Sequence, residues 1–568
     1  MMPPMSEGRE HSRGARWRRV AGAVLRRALS PRSVAGAAGL VAAGFIASRL
    51  LGLLRSVAIA DAFGTEAELG AYFVAFRVPD LVFQLLAGAA LASAFIPVFS
   101  RVVLNEGEDE GWRLASSVLN LISLATFVLA AIAFVLAPLV VPLLAPGLGE
   151  ESGRADELHA LAVELTRVML LSPLMFGISG MLTGILNGRQ HFLAPAIAPL
   201  LYNLGIILGA VVLAEHWGVH GLAWGVVIGS VGHLVVQVPA LWAVGMRWRP
   251  SLGFALPGVR EVLRLMGPRV IGLAAAQVNL VVVMFFASFV SDEAISAVNF
   301  AFLVMLLPVG VVGMAISTAA FPTLANLGAE EDYEGLGSAI DGTLRMILFL
   351  AVPASAGLVL LADPTVRLLL QRGAFDAAST ALVVDALVVY AVAVWAHASV
   401  EIMSRGFYAL SDTRTPVAIA ILGMLLNVAV CAALVEPFGI AGLAAAASVA
   451  AVAEFALLWW TLRRRLAARG VATLGAATLG RSLLRTATAT VVMTAIVVVI
   501  VAVLGGAGAE AGELLGALAL VAAGGVGGLT VFLATSAAVR SEELRAAVRW
   551  LSAIGEDESE DVSSAEGE

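Results

Sequence analysis

The stretch ASRLLGLLRSVAIADAFG (residues 47–64) is an apolar run that contains two arginines, Arg49 and Arg55. The whole chain is strongly apolar, because 60% of its 568 residues are hydrophobic, only 14% are charged and the mean hydropathy is +0.93. A single soluble core cannot use that much apolar surface. The stretch is therefore predicted to span a membrane, where each arginine costs roughly 2.5–3.5 kcal/mol at the centre of a helix.

Apolar runs of the length needed to cross about 30 Å of hydrocarbon recur along the chain. They predict an all-α polytopic membrane protein with about fourteen transmembrane helices. The predicted spans are 34–62, 68–100, 115–143, 157–186, 194–214, 219–245, 263–290, 294–325, 338–362, 378–408, 414–435, 440–462, 483–505 and 513–537. Glycines and prolines lie within or beside many of them, which is typical of a transporter, because neighbouring helices or a water-filled cavity must satisfy the broken backbone.

The arginines predict the orientation of these spans. All 35 basic residues are arginine, and they crowd the segment before residue 34 and the loops after the second, sixth and twelfth spans. With an even number of spans, this pattern places both termini in the cytoplasm. The segment 1–33 lacks the short apolar core and cleavage site of a signal peptide, so it is predicted to be a basic cytoplasmic segment.

An internal repeat predicts two lobes. Three motif pairs recur in the same order and at nearly the same spacing: SRLLGL (48–53) with PRVIGL (268–273), ALASAFIPVF (90–99) with AISTAAFPTL (315–324), and GVHGLA (218–223) with GIAGLA (439–444). Six spans separate the copies, so two six-helix, pseudo-symmetric lobes should share one orientation around a central cavity that holds the substrate. The predicted domains are a basic segment (1–33), an N-lobe (34–250), a C-lobe (251–466), two further helices (467–540) and an amphipathic, acidic cytoplasmic tail (541–568).

Several arginines are candidates for substrate binding. Arg49 lies fifteen residues into the first span, about 22 Å from its cytoplasmic start, so its head group does not easily reach that interface. Fixed guanidinium groups favour an anionic substrate, and a diphosphate fits because guanidinium N–H groups pair with phosphate oxygens. Arg77 and Asp80 add charge at a proline-broken point of the second span, and Arg269 is the repeat counterpart of Arg49. For Arg55 alone, an anchor at the outer interface is an equal interpretation.

Acidic residues inside the spans indicate two further roles. Asp385 and Glu454 have no partner nearby in the sequence, which is typical of groups that carry a coupling cation or proton. Glu401 and Arg405 are i,i+4 neighbours and are predicted to neutralise each other. His233 fits either a proton relay or, more commonly, a hydrogen-bonded packing role.

Enzyme functions are disfavoured by the motifs. The sequence has a single cysteine and shows no HExxH, Walker A or GxSxG pattern, so neither a metal site nor a cofactor is expected. The composition therefore favours a transporter that is not an enzyme. Active transport would then draw on an ion gradient, the membrane potential or consumption of the product.

Six motifs resemble the MurJ (MviN) family of lipid II flippases: ASRLLGLLRSVAIADAFG, AYFVAFRVPD (71–80), ALASAFIPVFSR (90–101), GILNGRQHFLAPAIAPLLYN (184–203), GVHGLAWG (218–225) and FYALSDTRTP (407–416). The resemblance implies a MOP-superfamily exporter of the bacterial plasma membrane. Such an exporter moves the undecaprenyl-diphosphate-linked peptidoglycan precursor to the outer leaflet by alternating access, for cell-wall synthesis and cell shape. The implied partners are lipid II or a related polyprenyl-diphosphate-linked glycan, membrane lipids in a groove of the last two spans, and cell-wall synthesis or division proteins, with no nucleic acid.

The resemblance also assigns residues. Arg49 and Arg55 match the two first-span arginines of the family, and Arg77 matches its basic residue in the second span. Charged family positions are lost at five places in this chain: Gly70, Phe83, Gly88, Leu303 and Leu306. The alternatives are therefore a flippase for another polyprenyl-linked oligosaccharide, a MATE-like cation-coupled exporter of small molecules, and a scaffold for cell-wall enzymes that no longer transports.

Overall fold

The computed structural model describes residues 34–86, 89–471, 476–508 and 513–549. Within these ranges the regular elements are helices and no strand occurs, which confirms the all-α prediction. The helices are α1 (Val34–Phe63), α2 (Ala67–Leu86), α3 (Ala89–Glu106), α4 (Glu108–Leu144), α5 (Ala155–Met169), α6 (Leu171–Gly188), α7 (Leu193–Leu208), α8 (Ala214–Trp217), α9 (Val219–Val235), α10 (Val238–Ala243), α11 (Pro257–Ala287), α12 (Ala294–Pro308), α13 (Ala315–Ala329), α14 (Tyr333–Leu360), α15 (Ala362–Leu370), α16 (Ala377–Val392), α17 (Val394–Ala409), α18 (Arg414–Ala467), α19 (Ala476–Gly508) and α20 (Glu513–Ala538). Short π-helical turns, Gly209–Leu213 and Val309–Met314, follow α7 and α12.

The helices confirm a polytopic membrane protein. In the described part of the chain, 11 helices are long and apolar enough to cross a membrane, or 12 if α16 and α17, which meet at 49°, form one span. Gly439 is non-helical and divides the 54 residues of α18 into two helices, which correspond to the eleventh and twelfth predicted spans. The seventh predicted span falls on α11, where the side chains of residues 267–276 are outside the described set. The total of fourteen therefore stays a prediction.

Contacts divide the chain into two compact units. The first contains the described residues up to Ala62 together with Ala71–Pro142 and His159–Gln277. The second contains Phe63–Gly70, Leu143–Leu158 and the described residues from Val278 onward. This division passes from the first unit to the second after residue 277 and gives two short segments of the first half to the second unit. The predicted domain boundaries remain predictions.

Glycine spacing lets α7 and α9 pack closely within the first unit. A Cβ atom built on Gly205 would lie 2.3 Å from the Gly229 Cα, and one built on Gly209 would lie 2.7 Å from the Gly225 Cα. Each helix thus offers two glycines four residues apart on one face, the small-residue spacing that brings membrane helices together. Larger side chains at these positions would push the two backbones apart.

The repeated motif around Gly218 and Gly439 forms the same corner in each unit. Gly218 has φ 54° and ψ −138°, and Gly439 has φ 52° and ψ −128°. Side chains disfavour this positive φ, so glycine is required at both corners. Three residues later, a Cβ on Gly221 would lie 2.4 Å from the Leu213 carbonyl carbon, and one on Gly442 would lie 2.2 Å from the Leu434 oxygen. Equal geometry at the two copies of this motif supports the repeat.

The last two long helices belong to the second unit and are held there by an apolar cluster. Phe349 of α14 and Leu361, which lies between α14 and α15, pack with Met493 and Val497 of α19 and Phe532 of α20. The rings of Phe349 and Phe532 lie 5.0 Å apart between centroids. Helices α19 and α20 are therefore packed against α14.

Candidate functional site

A pocket of about 340 Å³ lies within the first unit. Helices α1, α2, α6, α7 and α9 contribute to its walls. The lining residues are Arg55, Phe76, Pro79, Asp80, Phe83, Ser172, Phe176, Pro199, Tyr202 and His233. One arginine, one aspartate and several aromatic rings thus share a single concave surface.

Pro79 interrupts the backbone hydrogen bonding of α2 beside Arg77 and Asp80. A proline inside a helix cannot donate to the carbonyl four residues earlier, which here belongs to Ala75. The Thr166 hydroxyl of α5 donates to that carbonyl at 3.3 Å, and also to the Ala162 carbonyl at 2.7 Å. A neighbouring helix therefore satisfies the break, as the interior of a membrane requires.

Arg77 and Asp80 form a loose ion pair beside Pro79. Arg77 Nη1 lies 3.9 Å from Asp80 Oδ2, and the two side chains are 16% and 20% exposed. Asp80 also accepts a hydrogen bond from Gln84. The Nε of Arg77 is buried and has no hydrogen-bond partner within the described ranges. Because buried polar groups are nearly always bonded, an arginine with a spare donor suits an anionic ligand.

An aromatic wall of the pocket is formed by the rings of Phe83, Phe176, Tyr202 and His233. The Phe176 ring contacts three others, with centroid distances of 5.0 Å to Phe83, 4.9 Å to Tyr202 and 5.2 Å to His233. Phe83 occupies a position where the family resemblance implies an arginine. In this chain an aromatic packing contact replaces that charge, so the pocket combines cationic and apolar surface. Such a combination suits an amphiphilic anion.

The His233 side chain is also held by a polar network. Ser179 Oγ lies 2.6 Å from His233 Nδ1, the Gln237 amide donates to Ser179 at 2.6 Å, and the Thr183 hydroxyl donates to Gln237 at 3.0 Å. This geometry favours the packing role over a proton relay. The network was not predicted from the sequence, although Ser179 with Thr183 and His233 with Gln237 are both i,i+4 pairs.

The structure brings only part of the predicted arginine set together. Arg55 lines the pocket, and Arg77 is paired with the lining residue Asp80. Arg49 is exposed, is not among the lining residues, and holds its guanidinium 5.1 Å from the Phe45 ring centre. The side chain of Arg269 lies outside the described residues. The roles of Arg49 and Arg269 stay predictions.

The predicted acidic residues lie in the second unit. Asp385 on α16 is exposed, whereas Glu454 on α18 is half-buried. A Cβ built on Gly423 would lie 3.5 Å from Glu454 Oε2, so the carboxylate rests against a glycine. The predicted pair of Glu401 and Arg405 is confirmed, with a distance of 2.9 Å.

Three of the lost family charges can be placed. Gly70 lies against the Asp292 carbonyl, which would be 3.1 Å from a Cβ atom at that position. Leu303 and Leu306 are half-buried on α12. Gly88 lies outside the described residues. Across the described ranges, no group of three or more His, Cys, Asp or Glu side chains is arranged to hold a metal ion.

Known proteins are similar to this chain in sequence. A family model described as lipid II flippase MurJ matches residues 59–514. The lipid II flippase MurJ of Burkholderia cenocepacia is 33% identical over 433 residues, covering 75% of this chain and 83% of that protein. A probable lipid II flippase MurJ of Synechocystis is 32% identical over 453 residues, covering 77% and 83%.

Solved structures agree on the fold. A structure described as lipid II flippase MurJ in an inward closed conformation superposes with a TM-score of 0.71 at 22% identity, covering 88% of this chain and 98% of that one. An inward-facing multidrug resistance MATE family transporter of the MOP superfamily gives 0.61 at 17% identity, covering 75% and 96%. Because the family model spans most of the sequence and these two relatives match about three quarters of it, the chain belongs to the MurJ family of lipid II flippases.

Proposed function

We propose that the protein is a lipid II flippase of the bacterial plasma membrane. It moves the undecaprenyl-diphosphate-linked peptidoglycan precursor from the inner to the outer leaflet by alternating access, as a transporter and not as an enzyme. Membership of the MurJ family supports this proposal, and so does the chemistry of the pocket. A guanidinium group beside an aromatic wall matches a ligand that joins a diphosphate to a polyprenyl chain.

The observation that carries the proposal is the unsatisfied Nε of Arg77 next to Asp80, beside a pocket that Arg55 lines. A diphosphate oxygen would supply the acceptor that Arg77 lacks. In this proposal Arg55 and Arg77 donate to the diphosphate, and Arg49 and Arg269 add positive charge along its path. The polyprenyl chain follows the last two long helices.

Ion coupling is assigned in the second unit. Glu454 is half-buried and interacts electrostatically with Glu401, so a proton or cation would relieve the repulsion between the two carboxylates. Asp385 is exposed on α16 and would be the entry point for that ion.

The test is complementation of bacteria depleted of their own lipid II flippase. The readout is the amount of lipid II cleaved by an externally added lipid II-cleaving toxin. The matched variants are Arg55→Gln, in the pocket, and Arg167→Gln. Arg167 belongs to the same unit, where its guanidinium lies 4.9 Å from the Phe134 ring centre, and it is not a lining residue.

We expect wild type and Arg167→Gln to restore cleavage. Arg55→Gln should lower it at least about tenfold at equal membrane abundance, because a charge-assisted hydrogen bond is worth about 1.5–3 kcal/mol. Equal cleavage in both variants would contradict the pocket assignment. No cleavage with correctly inserted wild-type protein would contradict lipid II as the substrate and favour another polyprenyl-linked oligosaccharide.

A further inference from the structure

The carboxyl-terminal helix (542–549) begins just beyond the last membrane span, which ends at Ala538. The chain turns between them at Arg540, which has a positive φ of 55°. The segment 537–549 around this turn, here called the elbow, borders an open concavity of about 840 Å³. The concavity is lined by Ala537, Arg540, Ser541, Glu542, Leu544, Arg545, Val548 and Arg549.

The inner face of this helix is fixed to the second unit by Glu543. Its carboxylate is only 5% exposed and lies 3.7 Å from Arg345 Nη1. The hydroxyl groups of Ser482 and Ser541 each donate to it at 2.8 Å. Burial raises the pKa of Glu543, but these hydrogen bonds and the charge of Arg345 outweigh that effect and lower the pKa below its ordinary value. Leu544 packs beside it on the apolar cluster of α14, α19 and α20.

The second carboxylate of the segment, that of Glu542, lines the concavity but is bonded to arginines of other helices. Glu542 accepts from Arg345 at 3.3 Å and from Arg485 at 3.4 Å. Both glutamates are therefore paired with arginines of α14 and α19. The positive charge of the elbow itself is not neutralised by them.

The outer face is basic and partly apolar. Arg540, Arg545 and Arg549 are exposed on it, and Val548 between them is 57% exposed. Arg545 donates to the carbonyls of Ser541 and Arg540, each at 3.4 Å. Among the described residues, neither Arg540 nor Arg545 has a carboxylate within ion-pair distance. The elbow thus offers guanidinium donors and an apolar patch directly beyond the end of a membrane helix.

We propose that this elbow binds the headgroup of an anionic phospholipid, a site separate from the pocket of the first unit and independent of the proposed transport function. Charge complementarity selects the phosphate, since basic residues beside a span attract anionic lipid in the adjoining leaflet. Val548 selects a lipid over a free anion, because a free phosphate would leave this exposed apolar side chain uncovered. The Glu543 contacts hold the arginines in place before the lipid arrives.

The test measures lipid binding to the full chain in detergent by native mass spectrometry. Phosphatidylglycerol is the probe, phosphatidylcholine the zwitterionic comparison, and inorganic phosphate the free anion. The variant Arg540→Gln/Arg545→Gln removes two elbow charges. The control variant Arg113→Gln/Arg260→Gln removes two charges from exposed side chains of the first unit.

Phosphatidylglycerol should bind the wild type and the control variant alike, and the elbow variant about tenfold or more weakly, given the electrostatic contribution of each arginine near a membrane surface. Equal weakening in both variants would overturn the proposal in favour of general charge attraction. Displacement of the lipid by inorganic phosphate at equal concentration would overturn it in favour of a free anion. No selective binding of phosphatidylglycerol would overturn it and leave the acidic segment EDESEDVSSAEGE (556–568) as the candidate occupant.

A third variant separates a built site from simple attraction. Glu543→Gln removes a negative charge, so general electrostatics predicts tighter binding of phosphatidylglycerol. The elbow proposal predicts the opposite, a severalfold weaker affinity, because the helix loses its attachment to Arg345 and its arginines lose their arrangement. Tighter binding by this variant would overturn the proposal.

Discussion

Two of the arginine–carboxylate pairs inside membrane helices of this protein, Arg77–Asp80 of the first unit and Arg405–Glu401 of the second, differ in how the arginine is bonded. In the first unit, Arg77 and Asp80 are 3.9 Å apart, and Arg77 Nε has no partner in the described residues. In the second unit, Arg405 lies 2.9 Å from Glu401 and also donates to the Thr318 hydroxyl at 2.9 Å.

The backbone explains this difference. Glu401 and Arg405 are four residues apart on the regular helix α17, a spacing that brings the two side chains together. Arg77 and Asp80 are three apart and flank Pro79, where the helix lacks a hydrogen bond. An arginine held by two side chains stabilises its own unit, whereas one with an unbonded buried donor retains that donor for a ligand.

The largest expected effect follows from replacing the under-bonded arginine. Arg77→Gln should lower the exposure of lipid II to an external toxin by about tenfold or more, because the variant keeps an amide but loses the charge that binds diphosphate. Membrane abundance should not change. The measurement is toxin cleavage in the flippase-depleted strain, normalised to the amount of inserted protein.

The matched variant is Arg405→Gln, which replaces the arginine held by Glu401 and Thr318. Its transport should stay within about twofold of wild type, because its guanidinium is already engaged by Glu401 and Thr318. If Arg405→Gln fails and Arg77→Gln transports, the degree of hydrogen bonding does not identify the functional arginine. In that case the second unit would hold the anion.

An effect of intermediate size concerns stability. Glu401→Gln removes the charged acceptor of Arg405 and should lower the free energy of unfolding by about 1–2 kcal/mol, since the pair is only partly buried. The midpoint of thermal unfolding in detergent should fall accordingly. Asp80→Asn should leave that midpoint nearly unchanged, because a pair 3.9 Å apart contributes little. Equal destabilisation by both variants would remove the distinction between the pairs.

Most of the fold was predictable because hydropathy and glycine act locally. The apolar runs predicted an all-α membrane protein, and the repeated motifs around Gly218 and Gly439, which predicted two lobes, have the same backbone geometry. The number of spans was harder to predict from the sequence. Helices α16 and α17 meet at 49° within the tenth predicted span, and hydropathy alone did not separate them. Hydropathy places apolar segments, but it does not determine where one helix ends.

The site was predictable only where charge interrupts an apolar run. Arg55, Arg77 and Asp80 were found because charged residues are conspicuous inside spans. The aromatic wall was missed, since Phe83, Phe176 and their neighbours are ordinary apolar residues whose contacts depend on packing between distant helices. Charge inside a span is not sufficient to predict a pocket residue. Arg49 has it, yet it is not among the residues that line the pocket with Arg55.

The smallest expected effect tests whether the negative charge of Asp80 weakens the attraction between Arg77 and an anionic ligand. Asp80→Asn keeps the size of the side chain but removes the negative charge 3.9 Å from the guanidinium. A partly exposed pair of this kind is worth about 0.5–1 kcal/mol. The variant should therefore bind a short-chain polyprenyl diphosphate about two- to fivefold more tightly, as measured by isothermal titration.

Glu401→Gln serves as the control, because it removes a negative charge from the tightly bonded pair and should leave diphosphate affinity unchanged. Weaker binding by Asp80→Asn would mean that Asp80 positions Arg77 for the ligand, so the pair would be a binding element and not a restraint on charge. Tighter binding by both variants would mean that total charge sets the affinity. Only a gain of affinity confined to Asp80→Asn agrees with the proposal that Asp80 holds Arg77 loosely and that the diphosphate supplies the acceptor Arg77 lacks.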